Sequence, residues 1–247
     1  MLSLSKRPVL SLSKHGVTFI VLFLLLIGAI GAAPRSTAQL DSQEVLFRYL
    51  AALAKSTAPS VVVFDYSISQ AGPRVIEQRH RVYRNGAVQR DEISYVDGQP
   101  IRPPNIRIIR HEDRYSVKRL APTPQGYFFL FQGVRKTGKH LAYLYRTVPL
   151  RTAAFAVESV TVDGLTYLPT AINFKTQSGI ARGRGAVTYA KSDRYWVPVL
   201  ATVTAKLGQH FARERIAWSG YRFPKNLPQS TFTQPRPLIS PSLPPVP

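Results

Sequence analysis

Residues Tyr195–Phe223, YWVPVLATVTAKLGQHFARERIAWSGYRF, constrain the fold more than any other stretch. Val197, Val199, Ala201, Val203 and Ala205 alternate with Trp196, Pro198, Leu200, Thr202 and Thr204. A period of two marks a strand with one strongly apolar face. Gly208-Gln209 supplies a turn, and the chain returns through His210–Trp218. At about 3.3 Å per residue, Tyr195–Leu207 extends roughly 43 Å. An ordinary strand reaches about 17–20 Å. A hairpin this long needs a large surface to wrap around, and it reads as one wall of an open, curved sheet. Pro198 cannot donate to a ladder and suits an edge or a bulge. Tyr195–Leu207 is therefore expected to border the open side.

Upstream, Gln39–Ala58 reads as a helix. Asp41 or Ser42 can cap it, and Glu44 sits in its first turn. Val45, Leu46, Tyr49, Leu50 and Leu53 form one apolar stripe, and Pro59 stops the helix. The stripe is either a core face laid on a sheet or a movable lid. After Pro59 nearly everything reads as strand. Val61–Gln70, Arg74–Arg84 and Ala87–Val96 are joined by Ala71-Gly72-Pro73 and by Asn85-Gly86, a strong hairpin signal. Ile101–Asn105 reads as a loop, and Asn105–Arg110 and Tyr115–Leu120 as a hairpin around His111–Arg114. Further strands follow at Tyr127–Phe131, Leu141–Tyr145, Ala154–Val162, Leu165–Thr176 and Ile180–Lys191. Gly133–Gly138 reads as a basic loop, and Asp163-Gly164 as a second hairpin turn. One helix and about ten strands at hairpin spacing predict a mainly β protein built on a single large antiparallel sheet. Such a sheet must curl, close or split.

Residues 1–38 stand apart. Lys6, Arg7 and Lys14 precede an uncharged, mostly apolar run, Val17–Ala33, and Ser36-Thr37-Ala38 offers small residues at a cleavage position. This is the layout of a secretory signal peptide, with an uncleaved anchor as the alternative. The domain plan is a leader at 1–38, one domain at 39–232, and a Pro- and Ser-rich tail at 233–247 expected to be disordered. The product is expected outside the cytoplasm, periplasmic or extracellular.

The chain has no cysteine, which removes disulfides, thiolate metal sites and cysteine nucleophiles. Its formal net charge is +20; the leader carries four cations and no acid, leaving +16 without it. A basic exported surface favours anionic partners such as membrane head groups or an envelope protein over nucleic acid. The other reading is that the charge serves solubility alone. No catalytic constellation is present: neither a Gly-x-Ser-x-Gly elbow nor a phosphate loop. His111-Glu112 opens like a zinc-protease motif, but Tyr115 stands where the second histidine belongs. His80, His111, His140 and His210 are scattered, and no metal or other cofactor is expected. Asp91-Glu92 are neighbours on a strand and point to opposite faces, so they make a poor acid–base pair. Ala181-Arg182-Gly183-Arg184-Gly185 looks like a nucleic-acid fragment, but its glycines fit bulges or bends of a curved strand better.

The positive signal is aromatic. Phe64, Tyr66, Phe129, Phe131, Tyr143, Tyr145, Phe155, Phe174, Trp196 and Trp218 lie on strands that can share one side. One helix cannot cover ten strands, so an apolar concavity is a candidate ligand site. The other reading is a closed or two-layered core.

Several stretches resemble a known family. Leu46–Ser69 matches a helix followed by a long first strand, and Val82-Tyr83-Arg84-Asn85 a strand ending in Arg-Pro-Asn. Ile108–Val117 matches the strand–turn–strand that follows, and Ser219–Phe232 a last strand running into a Pro-rich segment. Together they resemble the outer-membrane lipoprotein carrier superfamily, the LolA/LolB-like half-barrels, to which the N-terminal domain of RseB-type regulators is also similar. The resemblance implies an unclosed barrel with helices at its mouth, and non-covalent binding of acyl chains without catalysis. The aromatics of the concavity would line the groove, and Arg84 matches an arginine that helps hold the lid. Arg79, Arg81, Arg182 and Arg184 are further candidates for an anionic head group. The expected ligand is a lipid or acylated molecule; the alternative is an envelope interaction module with a filled core.

Overall fold

The computed structural model describes residues 41–233, except 74, 111–113, 139, 179–180 and 208–209. The expected leader, the His111–Asp113 turn and the Pro-rich tail beyond Thr233 lie outside the described residues. Helix α1 spans Ser42–Lys55. Eleven strands follow: β1 (Val61–Ala71), β2 (Ile76–Asn85), β3 (Val88–Val96), β4 (Gln99–Arg110), β5 (Tyr127–Thr137), β6 (His140–Pro149), β7 (Phe155–Asp163), β8 (Pro169–Ser178), β9 (Ala181–Ser192), β10 (Tyr195–Leu207) and β11 (His210–Arg222). A one-turn helix α2 (Val117–Leu120) lies between β4 and β5.

All strands belong to one sheet in the order β4-β3-β2-β1-β11-β10-β9-β8-β7-β6-β5. Neighbours pair antiparallel, and all but β1–β11 are consecutive in sequence. The two edges, β4 and β5, do not pair with each other, so the sheet stays open. The long hairpin is therefore not a border. β10 lies between β9 and β11, and Pro198 is accommodated by a bulge between Pro198 and Leu200. The bulge puts Trp196 and Pro198 on the same side as Ala201 and Val203, because Pro198 pairs with Tyr189 and Ala201 with Val187.

One cross-sheet row shows how a face is built. Phe131, Tyr145, Val160, Ile172, Val187, Ala201, Ile216 and Ile68 are successive partners from β5 across to β1. Val160, Ile172 and Val187 are fully buried. This is the inner face, and α1 packs on it. Val45, Tyr49 and Leu53, four residues apart, are buried beneath the helix. The Tyr49 ring meets Phe129 edge-on at 6.2 Å, and its hydroxyl donates to the Pro122 carbonyl at 2.8 Å. The Tyr145 hydroxyl donates to the Ser42 carbonyl at 2.8 Å, tying the first turn to β6.

Four local expectations change. Ile101–Asn105 is not a loop but part of β4, where Pro103-Pro104 is tolerated because β4 is an edge. Tyr115–Leu120 is not a strand. The Ser116 hydroxyl accepts from the Arg119 amide and caps α2, turning Val117 and Leu120 into the interior. Gly133–Thr137 continues β5 beyond a bulge at Phe131/Gly133. Asp163-Gly164 opens a longer connection in which the Asp163 carboxylate accepts from the Thr166 amide and hydroxyl, both at 2.8 Å.

Candidate functional site

The connection from β4 to β5 must travel from one edge of the open sheet to the other. Its described part, Arg114–Gly126, crosses the inner face. Val117 and Leu120 are buried, Pro122 is fully buried, and the Tyr115 ring stands edge-on to Trp218 at 5.3 Å. Beside this strap, over β1, β2, β10 and β11, lies a cavity of about 660 Å³. Its floor follows from the register. Val62, Phe64, Tyr66 and Ile68 alternate along β1, and Trp218 pairs with Tyr66 and Ile216 with Ile68 across β11. Trp196 and Pro198 complete it from β10. The Phe64 ring lies 5.3 Å from Tyr221, whose hydroxyl donates to the Pro198 carbonyl at 2.7 Å. Burial raises the Tyr221 phenol well above its ordinary value, with Arg84 opposing, so it stays neutral.

Cations stand at the rim. Arg84, Arg110, Arg114 and Lys118 border the cavity, and Glu214 is the single acid among its described lining residues. Arg84 is nearly buried and donates to the Pro59 carbonyl at 3.2 Å, next to the end of α1.

A polar cluster continues the same face beside the floor, across β2, β3 and β4. His80 and Asp91 are both buried, with His80 Nδ1 2.8 Å from Asp91 Oδ1. The Tyr66 hydroxyl and the Arg107 guanidinium each donate to Asp91 Oδ2 at 3.1 Å, and the Tyr66 ring stacks on His80 at 4.2 Å. Burial alone would raise the Asp91 carboxyl. The His80 contact, the Tyr66 hydrogen bond and the Arg107 charge outweigh it and hold Asp91 below the usual carboxylate range. The phenol of Tyr66 is pushed up, by burial first and the Asp91 charge second. Every group here has a partner, so the cluster fixes Tyr66 rather than offering a reactive atom.

Of the aromatics expected at the site, Phe64, Tyr66, Trp196 and Trp218 meet at this cavity. Phe129, Tyr143 and Tyr145 are on the inner face but elsewhere. Phe129 and Tyr145 pack with each other and Phe129 with Tyr49 of α1, Tyr143 is buried two residues before Tyr145 on β6, and Phe131 abuts Tyr145 at 5.6 Å. Phe174 packs on Phe155 at 5.1 Å, bordering a second opening on the far side of the strap. Among the arginines expected at the site, Arg84 alone faces the cavity. Arg81 pairs with Asp65 at 2.8 Å on the outer face, and Arg79 lies against Glu77 and the Tyr95 ring. Arg182 and Arg184 are exposed on the outer face, Arg184 3.2 Å from Glu158. Gly183 and Gly185, next to these arginines, mark no bulge. The β9–β10 register runs through them unbroken, and they make room on the inner face. A Cβ on Gly185 would lie 2.5 Å from the Phe174 ring.

Sequence reasoning missed Ile68, Ile216 and Tyr221, and the cations Arg110, Arg114 and Lys118. Ile68 was legible, since it continues the Val62, Phe64, Tyr66 alternation. The cations could not be read without knowing that the β4–β5 connection crosses the groove. The described histidines do not gather. Trp218 pairs with Tyr66, the partner of His80, and His210 sits eight residues away along β11, about 26 Å at the usual rise. His140 is at the start of β6, on the other wing of the sheet. Among the described residues no group of His, Asp and Glu has the arrangement to hold a metal ion, and no helix is long and apolar enough to cross a membrane.

No family model and no curated protein matches this chain. The chain is similar in fold to several solved structures. A LolA superfamily protein from Nitrosomonas europaea is 13% identical, with 79% of this chain and 99% of that one covered, at a TM-score of 0.39. An outer membrane lipoprotein-sorting protein domain from Vibrio parahaemolyticus is 13% identical over 78% and 97% of the two chains, at 0.45. A DUF1329 family protein from Desulfovibrio piger is 11% identical over 77% and 96%, at 0.42.

Proposed function

We propose that this chain is an exported, non-enzymatic binding protein that holds the acyl part of a lipid on the inner face of its open sheet. The observation that carries this reading is the juxtaposition of an aromatic and aliphatic floor with a cationic rim around one cavity. The floor suits an apolar chain, because each methylene withdrawn from water contributes about 0.8 kcal/mol. Arg84, Arg110, Arg114 and Lys118 suit an anionic head group at the mouth. The leader pattern of residues 1–38 supports export. A scaffold module needs a filled interior, and a cavity of about 660 Å³ argues against that alternative.

The test is native mass spectrometry of the chain purified from envelope membranes without detergent exchange. A co-purified species in the lipid mass range, lost from an Ile216→Trp variant that fills the floor, supports the reading. A chain that comes off clean and shows no thermal shift with phospholipid or lipopolysaccharide overturns it.

A further inference from the structure

The strap has open space on both sides. Beyond the cavity already described, a wider chamber of about 880 Å³ lies over the other end of the same strands. Three strands record the division independently. On β1, Ile68 faces the first chamber and Gln70 the second. On β11, Ile216 faces the first and Ala212 the second, with Glu214 touching both. On β10, Pro198 faces the first and Val203 the second, while Ala201 between them is 1% exposed. The strap therefore crosses at Ala201 and Glu214 and partitions one groove into two.

The second chamber is also apolar with basic groups at its border. Phe155 and Phe174 form one wall, and Phe155 keeps 37% of its surface exposed. Gly183 and Gly185 on β9 are what let Thr176 and Phe174 lie close over the sheet there. The cations are shared out by the strap. Lys118 borders the first chamber and its neighbour Arg119 the second, as adjacent residues on a helical turn point about 100° apart. Arg114 and Tyr115 border both.

We infer that the ligand is a lipid with two apolar chains and one anionic head group, a chain on each side of the strap and the head at Arg114. This rests on the lipid-binding reading and deepens it. A single-chain ligand fills one chamber and leaves the other's aromatic wall wet. Two chains diverging from one head match two apolar chambers that share Arg114, with Tyr115 and Glu214 the other residues common to both. The strap, held down by Val117 and Leu120 and by Tyr115 on Trp218, then sits between the chains as a wedge.

The experiment compares dioleoyl phosphatidylglycerol with its single-chain lyso form on the mature chain, by displacement of a fluorescent fatty acid. Ala205→Trp and Val203→Trp each fill the second chamber from β10, and their melting curves verify folding. The expected result is that the unaltered chain binds the two-chain lipid at least tenfold more tightly than the lyso form. Either variant abolishes that preference while holding lyso binding within twofold. Equal binding of both lipids, unchanged in the variants, overturns the two-chain assignment and leaves the lipid-binding reading standing. Binding of neither lipid by the unaltered chain overturns both.

Discussion

The Tyr115 ring stands edge-on to Trp218 with centroids 5.3 Å apart, and this contact joins the strap to the floor it crosses. Trp218 lies on β11 beside Tyr66 of β1, where the sheet's two consecutive runs, β1–β4 and β5–β11, are sewn together. Tyr115 lies five residues after the end of the β4 edge. The pair thus links an edge of the open sheet to its middle. Its strength is open to a double-mutant cycle. Edge-to-face pairs contribute about 0.5–1.5 kcal/mol beyond the area they bury. Tyr115→Ala and Trp218→Ala, alone and together, are expected to show a coupling of that size in urea unfolding. Additive costs would mean that the strap is held by Val117 and Leu120 alone.

Gly185 has a different job from the one its sequence context suggests. A Cβ there would lie 2.5 Å from the Phe174 ring and 2.7 Å from the Thr202 carbonyl. The ring can move, but the backbone oxygen cannot. Gly185→Ala is expected to destabilise by about 1–3 kcal/mol, the usual cost of overpacking. Phe174→Leu in the same chain should recover part of that loss, which chemical denaturation of the single and double variants measures. No recovery would place the whole cost on the strand β9–β10 contact.

The sheet was legible because period-two alternation and turn residues are local signals. The turn signalled by Asn85-Gly86 falls on Gly86-Ala87, between the paired Asn85 and Val88, with a positive φ of 56° on Gly86. The stripe of α1 was legible for the same reason. Strand order was not. Pro198 suggested an edge, yet a bulge accommodates it in the interior, and the alternation of Val197 and Val199 with their neighbours is broken at that bulge. The true edges are β4 and β5: Pro103-Pro104 fits the first, but the status of both follows from β1 pairing with β11. The site was half legible. Aromatics on strand faces could be named, but which wing each belonged to depended on that same long-range pairing. Tyr115–Leu120 carried a strand pattern that the Ser116 cap overrode.

The buried Asp91 makes a pH prediction. Its folded value lies below the unfolded value of about 3.9. Its contribution is therefore fully present above about pH 5 and is lost as pH falls through the unfolded and then the folded value. Urea midpoints measured from pH 6 down to pH 3 should drop in the unaltered chain. Asp91→Asn keeps the shape but withdraws the acceptor charge from His80, Tyr66 and Arg107, at a cost of about 1–3 kcal/mol near neutrality. That variant should show a flatter profile below pH 5. An equally steep profile would assign the acid sensitivity to other carboxylates.

The rim cations supply the last prediction, about selectivity. Arg110 and Lys118 border the first chamber and are exposed, one on the β4 edge and one on the strap. Neither packs the floor, so their removal should spare folding; surface substitutions of this kind stay within about 0.5 kcal/mol. A charged hydrogen bond to a phosphate contributes about 1.5–3 kcal/mol. Arg110→Gln with Lys118→Gln is therefore expected to weaken phosphatidylglycerol binding by at least tenfold, while phosphatidylcholine binding changes little. Raising the salt concentration should erase the difference for the unaltered chain, since exposed charges are screened within about 8–10 Å at physiological ionic strength. Equal losses for both lipids would mean that the two side chains act through shape, and that the head group is held deeper, at Arg84.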